Sequence, residues 1–235
     1  FSVTETVKNC PYMKNSHFAA IRLKDAIVDR IREKFEGERP LVDKDESDVV
    51  FHLHIEGDKV AWYVDFSGRG LHKRGYRVAQ TDAVLSEYLA SSVIYRSEWR
   101  KALDRGEGVP TLLDPFCGSG TLAIEAALWA SDRAPGLVSA RRFNFFDLPI
   151  HDVDLYEEVV DEALLRAEQA KERKIAIYAW DSDPKAVVIT KKHAQLAQVD
   201  HLITFGVKDF TKVTKEDVPP EAGYIITDPP YGLRM

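Results

Sequence analysis

The chain predicts an α/β fold in which a doubly wound parallel sheet follows a small α+β portion. Three observations carry this. From residue 111 onward, apolar runs of strand length alternate with helical periodicity, the order that builds a parallel sheet with helices on its faces. Before residue 76, a helical pattern is followed by a β-hairpin, a unit too small to bury a good core alone. Four successive strand-like runs end in or beside an aspartate, at Asp114, Asp181, Asp209 and Asp228.

The elements follow in order. Ala20, Leu23, Ile27, Ile31 and Phe35 recur at three- and four-residue spacing, which predicts a helix over residues 17–35. Residues 49–55 and 60–65 read as strands joined through Gly57-Asp58, a hairpin in which Trp62 and Tyr63 read as core. Thr81-Asp82 suits the cap of a helix running to about residue 103, ended by the Gly106 to Pro110 stretch. Strands are then expected at 111–114, 175–180, 203–207 and 224–227, with helices at 121–130, 155–171 and 184–198. Three segments result: residues 1–75, a linker and first helix over 76–110, and the sheet over 111–235. The chain starts at Phe1 and stops four residues after Tyr231, where such a sheet would still be growing, so a piece of a longer protein is expected.

Composition narrows the class. A length of 235 residues suits one or two domains, and 45% hydrophobic with 30% charged residues is ordinary for a globular chain. No stretch has the ~18 consecutive apolar residues of a membrane span, and no signal peptide opens the chain. A cytoplasmic location and no membrane partner are expected. Cys10 and Cys117 give no disulfide framework, and the seven histidines show no ligand spacing, so no metal is expected. The net charge of −6 argues against a whole surface that binds nucleic acid. Locally the balance reverses: residues 66–80 hold Arg69, Lys73, Arg74 and Arg77 and no acid. That segment reads either as a solvated basic loop or as a contact for phosphates.

The chemistry is expected at the strand ends. The first parallel strand runs into Asp114-Pro115-Phe116-Cys117-Gly118-Ser119-Gly120-Thr121, where a helix starts. Gly118 and Gly120 permit unusual φ and close backbone approach to a ligand, while the helix start offers free N–H groups. The spacing lacks the third glycine of a dinucleotide fingerprint and the Gly-Lys-Thr of a phosphate loop, and the preceding acid would repel phosphate. The second strand ends in Asp181-Ser182-Asp183-Pro184, with Asp181 placed to grip a ribose diol and Asp183 to cap the next helix. The third gives Asp209-Phe210, an acid and a ring suited to a purine. The fourth gives Asp228-Pro229-Pro230-Tyr231, a carboxylate, two stiff prolines with outward carbonyls, and a stacking ring. By itself this last motif reads equally as a strand-ending turn. In a parallel sheet all four acids share one edge, and such a crevice fits a positively charged nucleoside. Cys117 reads as a packing residue, for no partner base is evident. The run from Arg141 to Phe146 reads either as an RNA contact or as the packing of an insertion.

Together these motifs resemble those of class I S-adenosylmethionine-dependent methyltransferases that act on exocyclic amines of nucleobases. The segments 23–29 and 67–77 narrow the resemblance to enzymes that join a THUMP RNA-binding domain to a Rossmann-like methyltransferase sheet. Within these the chain is similar to bacterial 23S rRNA guanine-N2 methyltransferases of the RlmL type. The resemblance implies that residues 1–75 are the C-terminal portion of a THUMP domain. It implies S-adenosylmethionine as cofactor, bordered by Asp114, Phe116, Gly118, Gly120 and Thr121 and held by Asp181, Asp183, Asp209 and Phe210. Asp228, Pro229, Pro230 and Tyr231 would hold the target base, and Arg69, Lys73, Arg74 and Arg77 would meet RNA. Members of this group often carry Asn where this chain has Asp228, and Asp occurs in related tRNA enzymes. A tRNA guanine-N2 enzyme, a DNA adenine-N6 enzyme and a fragment that binds without turnover are the alternatives.

Overall fold

The computed structural model of the chain describes residues 1–13, 15–44, 47–79, 85–106, 108–138, 142–218 and 223–230. The chain divides into two compact units, one of Phe1–Gly70 with Arg142–Val153 and one of Leu71–Arg141 with Asp154–Met235.

The first unit is a three-stranded sheet with one helix. Strand β1 (Ser2–Lys8) runs parallel to β2 (Val50–Glu56), and β3 (Lys59–Val64) returns antiparallel to β2. Helix α1 (Ser16–Lys34) makes the β1 to β2 crossover; Asn15 caps it by accepting the His17 amide at 3.0 Å. Its Ala19 packs with Leu53 and Ile55 of β2 and with Val7 of β1. The hairpin aromatics depart from expectation. Trp62 is 57% and Tyr63 55% exposed, because β3 is the outer strand in the order β1-β2-β3 and α1 packs on the other two. The Trp62 ring meets that of Phe51 at 5.6 Å. Strand β1 was not expected: its partner lies 48 residues downstream, so no turn marks the pairing. Residues 142–153 fold onto this unit. The rings of Phe143, Phe145, Phe146 and His151 cluster at 4.8–5.9 Å, and the Phe145 amide donates to Phe66 O. Of the two readings of this run, the structure has the packed insertion; Arg141 lies outside the described residues.

The second unit opens with α2 (Glu87–Arg96) and α3 (Glu98–Arg105). The single helix expected to residue 103 is broken at Ser97, whose extended backbone (φ −75°, ψ 154°) stops one helix and caps the next. Ser97 Oγ donates to Ile94 O and accepts from the Arg100 amide. The proposed cap at Thr81-Asp82 lies outside the described residues. Strand β4 (Thr111–Asp114) is buried throughout and leads into α4 (Thr121–Ala130), in which every residue except Trp129 is buried. After α5 (Val153–Gln169) come β5 (Ala176–Asp181), α6 (Pro184–Leu196), β6 (Ile203–Val207) and β7 (Gly223–Ile225).

These four strands are parallel and ordered β6-β5-β4-β7. The chain steps outward from β4 through β5 to β6, then returns to the other side of β4. The topology therefore switches direction beside β4, and the crevice at the carboxyl end of such a switch is where open α/β sheets bind ligands.

Candidate active site

A cleft of about 300 Å³ opens at that switch point, lined by Asp114, Phe116, Gly118, Asp181, Asp228 and Pro229 among others. The described residues that line it belong to the second unit.

The loop after β4 is fixed from two sides, by the end of β5 and by α6. Its Cys117 amide donates to Trp180 O at 2.8 Å and its Gly118 amide to Asp181 Oδ2 at 2.9 Å, both at the end of β5. From α6, Thr190 Oγ1 donates to Gly118 O at 2.8 Å. His193, fully buried, completes the cradle. Its Nε2 accepts the Val78 and Ala79 amides, each at 3.3 Å, so the proton sits on Nδ1 and is donated to Ser119 O at 3.0 Å. Burial lowers the His193 pKa, which keeps this neutral tautomer. Gly118 and Gly120 both have positive φ, 53° and 83°.

The acids play different parts. Asp114 is 1% exposed, and its Oδ1 accepts both the Phe116 amide at 3.3 Å and Thr227 Oγ1 at 2.6 Å. Burial pushes its carboxyl up to about 7, against the pull of those two hydrogen bonds and with help from Asp181 and Asp228. Asp181 lines the cleft while both its oxygens serve the backbone, Oδ2 for Gly118 and Oδ1 for Asp183 at 2.9 Å. Each oxygen keeps a second lone pair for a ligand. Asp228 and the two prolines are exposed at the mouth, and Tyr231 lies outside the described residues.

Two expected ligand acids are occupied as caps. Asp183 accepts the Lys185 amide at the start of α6, and Asp209 accepts Thr211 N and Oγ1 and pairs with Lys212. Neither lines the cleft, so among the described residues the convergent acids there are Asp114, Asp181 and Asp228. Phe210 is brought against the cleft residue Phe116, ring centroids 5.2 Å apart. The Cys117 thiol is pushed up to about 12 by burial and by Asp114, which leaves it a packing group rather than a nucleophile.

Two of the four cations expected to meet RNA point inward. Arg74 pairs with both oxygens of Glu125 at 3.4 Å, and Tyr76 donates to the same carboxylate at 3.2 Å. Arg77 donates to Leu85 O and Thr121 Oγ1, each at 2.9 Å, and faces Glu87 at 3.7 Å. Their side chains are only 14% and 12% exposed, so they brace α4 instead of offering charge to solvent. Arg69 and Lys73 remain exposed. Glu125 was missed at sequence level, although a lone acid within Thr121-Leu122-Ala123-Ile124-Glu125-Ala126-Ala127 was its signal.

Among the described residues no His, Cys, Asp and Glu cluster could hold a metal, and no helix is long and apolar enough to cross a membrane.

Comparison with known proteins places the chain in a family. Residues 1–65 match the THUMP domain family, and residues 74–235 match the family described as RMKL-like, methyltransferase domain. The chain is 42% identical over 225 residues to the ribosomal RNA large subunit methyltransferase K/L of Shewanella baltica (strain OS185). That match covers 95% of the chain and 30% of the relative, so the chain spans under a third of the relative's length. Among solved structures it is similar to a possible methylase from Clostridium difficile 630, at 32% identity and a TM-score of 0.82, over 100% of this chain and 58% of the other. It is also similar to SMU.472, a putative methyltransferase complexed with SAH, at 26% identity and a TM-score of 0.80, again over 100% and 58%. With a matched segment that takes in the whole parallel sheet and its cleft, the chain belongs to the RMKL-like methyltransferase domain family.

Proposed function

We propose that the protein transfers a methyl group from S-adenosylmethionine to the exocyclic N2 amine of a guanine in large-subunit ribosomal RNA. One observation carries the reading: the Gly118 loop and the Asp228-Pro229-Pro230 turn flank a single cleft at the switch point of the sheet. The residues present fit the cofactor. A Cβ added at Gly118 would meet nothing within 4 Å, so the glycine opens onto free space, and the Asp181 and Asp228 carboxylates suit a cationic ligand. Asp181 would hold the ribose hydroxyls, with Phe116 and Phe210 beside the adenine. Bound there, S-adenosylmethionine supplies an electrophilic methyl group on a sulfonium.

The protein's own residues prepare the amine. The N2 lone pair of guanine is delocalised into the ring, so the nitrogen attacks only as it becomes tetrahedral. Asp228 and the Pro229 carbonyl would accept its hydrogens and favour that change, while positioning supplies much of the remaining acceleration. Transfer would form a C–N bond as the donor's C–S bond breaks with its electron pair left on sulfur, and the proton that the nitrogen sheds would pass to the Asp228 carboxylate. The base must leave its stack to reach the cleft, and Tyr231 would receive it. On this reading residues 1–75 supply the RNA-binding THUMP portion, 76–110 the linker and first helix, and 111–235 the methyltransferase sheet. Arg69 and Lys73 are the basic contacts to RNA, and the protein works in the cytoplasm.

The reading also covers the acid at position 228. Aspartate accepts one amine hydrogen as the carbonyl oxygen of asparagine would, and leaves the other for the Pro229 carbonyl. Transfer of labelled methyl to rRNA, tRNA and DNA, each from cells lacking the gene, followed by nucleoside mass analysis, tests the assignment. N2-methylguanosine in the large-subunit RNA is expected; N6-methyladenine in DNA, or label only in tRNA, would overturn it.

A further inference from the structure

We propose that Thr227 is a positioning residue that fixes the base-clamping Asp228 in register with the cofactor loop through its hydrogen bond to Asp114. The inference rests on the base-clamp reading above.

The backbone alone stops holding β7 too early. Its ladder with β4 pairs Thr111 with Gly223, Leu112 with Tyr224 and Leu113 with Ile225, and closes with the Ile226 amide on Leu113 O at 3.1 Å. Beyond that point Pro229 and Pro230 have no N–H with which to extend it. Among the described residues, the next tie to the sheet is the Thr227 hydroxyl, 2.6 Å from Asp114 Oδ1, one residue before the clamp. The same oxygen accepts the Phe116 amide, the first amide of the cofactor loop after the proline. One buried carboxylate oxygen is thus the common anchor of the two halves of the site. At 1% exposure Asp114 has little water to exchange for Thr227, and a short hydroxyl bond to a carboxyl is among the stronger ones a side chain makes. The β-branched threonine also narrows χ1, so the hydroxyl is held toward β4. Valine at this position keeps the shape and removes the donor. Serine keeps the donor and removes a methyl.

The test compares the wild type, Thr227→Val, Thr227→Ser and Asp228→Ala, each made in the protein expressed from its complete gene. Two quantities are read: affinity for S-adenosylmethionine by calorimetry, and the single-turnover rate of methyl transfer to saturating rRNA. Thr227→Val should keep cofactor affinity within about threefold and slow transfer by roughly ten- to a hundredfold, the scale of a misplaced reacting group. Thr227→Ser should recover most of the rate. Transfer by Thr227→Val at the wild-type rate would overturn the inference. So would equal slowing by valine and serine, or a parallel loss of cofactor affinity and rate, since either points to packing rather than the hydroxyl. Should the valine variant fail to melt cooperatively, Thr227→Ala read against Thr227→Ser makes the same comparison. Asp228→Ala separates the two ideas: retained turnover there sinks the base clamp itself, whereas a dead Asp228→Ala beside a fully active Thr227→Val sinks the role of Thr227 alone.

Discussion

The amide of Gly118 donates to Asp181 Oδ2 at 2.9 Å, a bond that joins the loop after β4 to the tip of β5 across 63 residues of sequence. The carboxylate proposed to hold the cofactor's ribose is therefore also part of the loop that borders the cofactor. Its other oxygen accepts the Asp183 amide, so Asp181 faces two backbone donors at once.

This makes asparagine a poor substitute at position 181. Its NH2 must face either the Gly118 or the Asp183 amide, donor against donor. Asp181→Asn should weaken S-adenosylmethionine binding about as much as Asp181→Ala, by roughly 1.5–3 kcal/mol or about ten- to a hundredfold. Calorimetric titration checks this. An Asn variant with wild-type affinity would show that the two backbone bonds do not set the cofactor site.

The two loop glycines should fail in different ways. A Cβ at Gly120, where φ is 83°, would run into Thr190, which is fully buried and holds Gly118 O with its hydroxyl. Gly120→Ala should therefore destabilise the fold by about 2–4 kcal/mol, combining left-handed strain with overpacking. At Gly118 a Cβ meets no neighbour, so Gly118→Ala should cost only about 1–2 kcal/mol of backbone strain while placing a methyl in the cleft. Urea unfolding and cofactor titration on both variants separate the effects: a larger stability loss for Gly118→Ala would contradict the assignment.

What the sequence made legible was set by local chemistry. Strand ends carry their own punctuation: Asp114 before Pro115, Asp228 before Pro229, and Asp183 with Pro184, which caps α6 as expected. The buried run of β4 and the apolar α4 likewise announce themselves through composition. Long-range partners do not. Nothing near Arg74 reveals that its carboxylate, Glu125, lies 51 residues on, so four cations in a row looked uniformly exposed. His193 could not be read as the clip of the Gly118 loop, because the carbonyl it serves is 74 residues earlier. Trp62 and Tyr63 carry the composition of core, but being on the outer strand of the sheet leaves them open.

Arg74 and Arg69 should consequently answer to different measurements. Glu125 is buried with Arg74 and Tyr76 on it, and burial raises its pKa against the pull of Arg74. Removing one member of such a group strands the others, so Glu125→Ala or Arg74→Ala should destabilise the fold by about 3–5 kcal/mol. Arg69→Ala and Lys73→Ala should leave the melting temperature within a degree or two, weaken RNA binding, and flatten its salt dependence by about one counterion each. Salt titrations of RNA affinity decide the second half. An unchanged slope for both variants would remove Arg69 and Lys73 from the RNA surface.

Asp114 should leave a signature in the pH dependence of stability. Its ordinary carboxyl value is 3.8, and burial raises this to about 7 in the folded chain. A raised carboxyl binds its proton more tightly when folded, so its contribution is fully present below the unfolded value and is lost as pH rises through the folded one. Between roughly pH 4 and pH 7 the wild type should therefore lose about 1.4 kcal/mol per pH unit relative to a chain with no titrating group at this position. Asparagine supplies that reference, since its Oδ1 still accepts the Thr227 hydroxyl and the Phe116 amide. Subtracting Asp114→Asn from wild type cancels the titrations common to both chains, including that of His193, whose lowered pKa acts in the opposite direction. Urea midpoints taken at half-unit steps should show the variant gaining on the wild type up to about pH 7 and holding level above it. A difference that stays flat across this window would mean that Asp114 is ionised in the folded chain throughout.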